Sequence, residues 1–174
     1  MQDSVKNKLS KEAYELLKLP TLEFKYGTIE FLTEDTIDDG QDGFRYNSLT
    51  GEKIDGWTGE EYVIVGFDYS AGCGPDPYII KADDKKLPVY WLMTDGGDWS
   101  NPELISSSLE NFNKIIKFLS TYSDSFVSNT LLEREAKEII EKIQEIEGSD
   151  SINDYWIELI YSTVDESEDF NDYK

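Results

Sequence analysis

The chain holds 174 residues, enough for one folded domain with its own core. Its 37 acidic and 16 basic side chains leave a net charge of -21, which argues against binding a phosphate backbone, and no cluster of Lys and Arg overrules that balance. No His and a single Cys exclude imidazole chemistry and an intramolecular disulfide, while 4 Trp, 11 Tyr and 8 Phe argue that the chain folds despite its charge.

Residues 5–18 carry Val5, Leu9, Ala13, Leu16 and Leu17 at spacings of three and four, which predicts a short amphipathic helix closed by Pro20. Over 21–93 the pattern changes to strand-like runs, TLEFKY, GTIEFL, YVIVGFD, PYIIKA and LPVYWLM, parted by Gly, Pro, Asn and Asp. Most of these runs have no helix between them, which predicts an antiparallel sheet.

Helical spacing returns after Trp99. Ser107 and Glu110 stand as in a capping box, and Leu109, Phe112, Ile116 and Leu119 share one face. Thr130 and Glu133 repeat the device before a stripe of Leu132, Ala136, Ile139, Ile140 and Ile143. Glu133 with Lys137 and Glu138 with Lys142 are expected as ion pairs on the wet face, and Gly148 as the stop. Ile152, Tyr155, Trp156, Leu159 and Ile160 predict a last helix over 152–163.

The N-terminal stretch lacks the apolar run of a signal peptide, and the longest apolar stretch, 62–67, is too short to span a membrane. A cytoplasmic protein is expected. No repeat or low-complexity linker divides the chain. The expected fold class is α+β, an antiparallel-dominated sheet flanked by helices over 1–122. A helical extension over 123–174 is expected to pack on that domain and to end in an acidic tail, 165–174.

Residues 34–42, EDTIDDGQD, suggest a calcium loop, but the register fails. With Gly40 at the sixth position, Ile37 falls third and Tyr46 twelfth; with Gly43 there, Gly40 falls third and Leu49 last. No metal or cofactor is expected, and the segment reads as a solvated or partner-facing acidic loop. Cys73 in SAGCGPDP has no His to activate it, and the glycines match no phosphate-binding fingerprint. Asp95 and Asp98 flank Gly96 and Gly97. Such a pair serves acid–base chemistry on glycosides, but is also ordinary turn chemistry. Tyr78, Tyr90, Trp91 and Trp99 nearby form either a stacking surface or half-buried strand positions.

From 62 to 119 the order of motifs resembles the SUKH superfamily, in particular its Smi/Knr branch. The stretches are YVIVGFD at 62–68, CGPDPYII at 73–80, LPVYWLMTDGGDW at 87–99 and PELISSSLENFNKIIKFL at 102–119. In the family, a strand ending in Gly leads to a Gly-Asp-Pro turn and a further strand. A Pro-Val-Tyr strand, a Gly-Trp turn and a Ser-led helix with an early Phe follow. Gly66, Asp76, Pro77, Pro88, Val89, Tyr90, Gly97, Trp99, Ser107, Leu109 and Phe112 occupy those places. GTIEFL at 27–32 and the Gln41/Gly43 pair fit the family's earlier portion, so the likeness covers 20–120. Two departures stand out: Pro75 interrupts the Gly-Asp-Pro turn, and the His common before the Gly-Trp turn is absent.

The resemblance implies a binding module without catalytic residues. Bacterial members look like immunity proteins that neutralise toxins, often nucleases; fungal relatives are associated with regulation of cell-wall glucan synthesis. The charge agrees with the first use, since a nuclease presents a basic groove that an acidic surface can fill. The expected partner is therefore a basic protein, a cognate toxin domain. Its expected docking surface joins Asp38, Asp39 and Asp42 of the acidic loop to Asp76, Tyr78, Tyr90, Asp95, Asp98 and Trp99. Regulation of glucan synthesis and an acidic carbohydrate-active enzyme using Asp95 and Asp98 are the alternatives.

Overall fold

The structure, a computed structural model, describes residues 4–57, 59–70, 75–94, 101–149 and 152–165. Six strands form one sheet: β1 (Leu22–Phe24), β2 (Gly27–Phe31), β3 (Tyr62–Asp68), β4 (Asp76–Lys81), β5 (Val89–Trp91) and β6 (Glu103–Ser106). Each pairs antiparallel with the next in sequence, so the sheet is a meander. The α+β expectation holds, and β1 to β5 match the five strand-like runs, β4 starting one residue before its run at Asp76. β6 lies outside those runs, and its ELIS holds only two apolar residues, Leu104 and Ile105, with no longer apolar run around them.

Five α-helices accompany the sheet among the described residues: α1 (Lys11–Leu16), α2 (Leu109–Leu119), α3 (Ser123–Ser128), α4 (Glu133–Glu147) and α5 (Asp154–Tyr161). The helix expected over 5–18 is broken in two. A 3-10 turn, Lys6–Lys8, precedes α1, and the extended Ser10 between them accepts from the Ala13 amide at 3.2 Å. A serine hydroxyl competes for backbone amides, so it caps a helix better than it continues one. For the same reason α2 is capped by Ser108, which accepts from the Asn111 amide, and not by Ser107.

At α4 the capping residue is Leu132, whose amide donates to Glu135 Oε2 at 2.9 Å; Thr130 lies before the helix. Glu133 pairs with Lys137 at 2.6 Å as expected. Lys142, however, pairs with Glu145, and Glu138 lies 3.7 Å from Arg134. Gly148 ends the helix in the left-handed region, φ 65°.

The helices cover one sheet face. Ile29, Val63, Val65, Tyr78, Ile80 and Val89 point into a single cluster with Leu17, Phe112, Ile116, Ile139, Trp156 and Ile160. The residues expected as an extension, 123–165 among those described, thus share the core of the rest. Ile64, Ile79 and Leu92 face the other way, under Phe44 and Trp57 of the segment 33–57. That segment also completes the first half of β3, which β2 does not reach. The buried Gln41 amide donates to the Ile64 carbonyl and accepts from the Ile64 amide, and Arg45 Nη1 donates to the Tyr62 carbonyl.

The β6 edge is also occupied. Asn153 donates to the Leu104 carbonyl and the Trp156 indole to the Ile105 carbonyl, while Glu147 accepts from Ser106 Oγ and the Ser107 amide. Such cover removes backbone groups that would otherwise template another strand. No helix among the described residues is long and apolar enough to cross a membrane.

Candidate functional site: an acidic, aromatic cleft

The site begins with a break in register. Val63 and Val65 of β3 face the helices, so plain alternation would turn Phe67 inward and Asp68 outward. A bulge between Ile64 and Gly66 reverses the order: Phe67 packs on Phe44 on the loop face, and Asp68 enters the helix side. Bulges re-aim side chains in this way. Gly66 permits the close approach of β2 that goes with it, because a Cβ there would lie 2.6 Å from the Glu30 carbonyl oxygen.

Asp68 is 8% exposed and sits at the centre of a hydrogen-bonded group. Its Oδ2 accepts from the Tyr155 phenol at 2.8 Å and lies 3.3 Å from the Tyr78 phenol, and Oδ1 accepts from the Ser70 amide. The two phenols also bond each other. Burial, followed by neighbouring negative charge, pushes both well above the ordinary tyrosine value, so both stay protonated as donors.

Around this group lies a cleft of about 580 Å³ between the β1–β2 turn, the turn end of the β3–β4 hairpin, the end of β5 and α5. Asp68, Asp76 and Glu158 supply its carboxylates, Trp91, Tyr155 and Tyr26 its aromatic walls, and Lys25 its only lining cation among the described residues. Lys25 Nζ lies 5.1 Å from the centre of the Tyr26 ring. The Trp91 and Tyr155 rings are 5.1 Å apart. Asp68 and Asp76 are direct cross-strand partners, an arrangement that like charges disfavour. Asp76 Oδ1 accepts from the amide and hydroxyl of Thr94, at 2.7 and 2.6 Å. No ion pair neutralises Asp68, Asp76 or Glu158 among the described residues. The Trp91 indole Nε1 is buried and has no acceptor among the described residues.

Of the expected docking residues that are among the described residues, only Asp76 lines this cleft. Tyr78 is fully buried beneath it and offers no surface to a partner, which corrects the expectation. Tyr90 is half-buried on the opposite sheet face, edge-on to Tyr62 at 5.5 Å, because β5 alternation sends Tyr90 and Trp91 to opposite sides.

Asp38 is a structural group, accepting from Ser4 Oγ and from the Val5 and Lys6 amides. Burial raises its pKa, but these hydrogen bonds and the Lys6 charge together hold it below the usual value. Asp39 is exposed and Asp42 half-buried in the same loop, which joins β3 near Ile64; Asp76 lies at the other end of the strand pair. Asp95, Asp98 and Trp99, and Cys73 with them, lie outside the described residues.

Sequence reasoning missed Asp68, Tyr155 and Glu158. An Asp ending an apolar strand was the available signal for the first. No group of three or more acidic or Cys side chains among the described residues is placed to hold a metal. Comparison of the chain with protein-family models, curated proteins and solved structures finds no match.

Proposed function

We propose that this chain is a non-catalytic protein-binding module that neutralises a basic protein, as an immunity protein does for a cognate bacterial toxin domain. The observation that carries this reading is the opposed pair Asp68 and Asp76 at an aromatic-walled cleft, with no cation paired to either among the described residues. A basic ligand relieves that repulsion and gains aromatic contact together with charge. The net charge of -21 supports it further, because such a field speeds the approach of a basic protein and disfavours acidic competitors. The resemblance to the SUKH superfamily supplies the word immunity.

The test is genetic. The chain is co-expressed with the polypeptide encoded in the adjacent reading frame. The reading expects that frame to encode a toxic domain and expects this chain to restore growth. A non-toxic neighbour, or toxicity that the chain leaves unchanged, overturns it.

A further inference from the structure

We infer that the cleft receives a single arginine side chain of the basic partner, an assignment that rests on the protein-binding reading above. Three observations select this occupant. Asp68 and Asp76 face each other across β3 and β4, so the cleft carries a repulsion that a cation relieves. Trp91 and Tyr155, 5.1 Å apart, wall the same space, and a planar guanidinium stacks on such rings as an ammonium does not. Asp76 is held by Thr94 through Oδ1 alone, and its Oδ2 accepts nothing among the described residues. One carboxylate oxygen is thus pre-oriented and unused, which suits the guanidinium fork.

The size of the cleft bears on the rest of the ligand. A cleft of about 580 Å³ has room for a side chain with flanking backbone. The ligand is therefore a peptide segment and not a free cation. The Tyr78 and Tyr155 phenols act as positioning groups: they fix Asp68 at Oδ2 and stay protonated while doing so.

The probe is a capped Gly-Arg-Gly peptide, titrated into the full chain while the Trp91 indole resonance is followed by NMR. The same peptide with citrulline, a neutral isostere, and with lysine serve as comparisons. The arginine peptide should shift the Trp91 signal saturably and bind about tenfold more tightly than either comparison. Asp76→Asn should weaken it by about tenfold. Glu158→Gln, at an exposed helix position that cannot compromise the core, should weaken it severalfold.

Equal binding of citrulline, equal binding of lysine, a shift that never saturates, or indifference to both substitutions each overturns the assignment. The two readings fail separately. Growth rescue that survives both substitutions, with no binding of the arginine peptide, removes the arginine site and keeps the immunity role. Saturable arginine binding without rescue removes the immunity role and keeps the site.

Discussion

The phenol of Tyr155, in the last helix, donates at 2.8 Å to the carboxylate of Asp68, in the third strand, across 87 positions of sequence. This contact ties α5 to the turn end of the β3–β4 hairpin and fixes one wall of the cleft. The acceptor is charged and buried, where such a hydrogen bond counts for more than on the surface. Tyr155→Phe is expected to cost about 1.5–3 kcal/mol in urea denaturation. Asp68→Asn should cost a similar amount, and the double variant less than the sum, since both remove the same bond. Strict additivity would show that the two residues act independently.

The bulge makes its own prediction. Gly66→Ala places a methyl group against the Glu30 carbonyl, a backbone atom that cannot swing aside. A loss of about 2–4 kcal/mol is expected, large for so small a change. If β2 and β3 separate to make room, hydrogen exchange should quicken at Leu32 and Tyr69, whose amides donate across these strands to the Val65 and Thr28 carbonyls. A variant as stable as the parent would mean that the strands are not so closely paired.

The tyrosines predict an alkaline transition. Tyr14, whose phenol donates to the Lys6 carbonyl at 2.8 Å, is pushed up to about 12 by burial, with the Glu34 and Asp38 charges adding to it. Tyr78 and Tyr155 are also raised well above the ordinary tyrosine value, chiefly by burial. An unfolded tyrosine titrates near pH 10, so the unfolded chain loses these protons first. The stability linked to Tyr14 is full below about pH 10 and is lost as the pH climbs towards about 12. Absorbance at the phenolate band should show Tyr14, Tyr78 and Tyr155 ionising together with unfolding. Full titration of every tyrosine in a chain that remains folded would contradict it.

Asp38 gives the corresponding acid limb. Its folded pKa lies below the ordinary carboxylate value, so its contribution is present above about pH 4 and fades as the pH falls through the folded value. Asp38→Asn should release the N-terminal segment, with a cost of about 1–2 kcal/mol at neutral pH. Thermal melts of parent and variant should converge in strong acid. A gap that persists there would assign the effect to packing and not to charge.

Much of the fold was legible in the sequence because its signals are local. The runs over 21–93 name five of the six strands, and the apolar spacing in α2, α4 and α5 marks faces that are buried in the structure. The errors arose where two local preferences compete. Ser10 and Ser108 each had to choose between continuing a helix and capping one, and both cap. Of the site, Asp76 and Trp91 stood out in sequence, whereas Asp68, Tyr155 and Glu158 did not. Those three come from separate parts of the chain and share no spacing.

The sequence by itself determined most of the element types, the charge and the absence of imidazole chemistry, because composition and period depend on near neighbours alone. The tertiary structure decided which side of the sheet each β3 residue faces. Nearly every residue of YVIVGFD is apolar and the strand is covered on both faces, so alternation held no information about direction. The bulge before Gly66 then set that direction, sending Phe67 to the loop face and Asp68 to the tyrosines. A shift of parity by one residue is fixed by the pairing of strands, and only the folded sheet contains it.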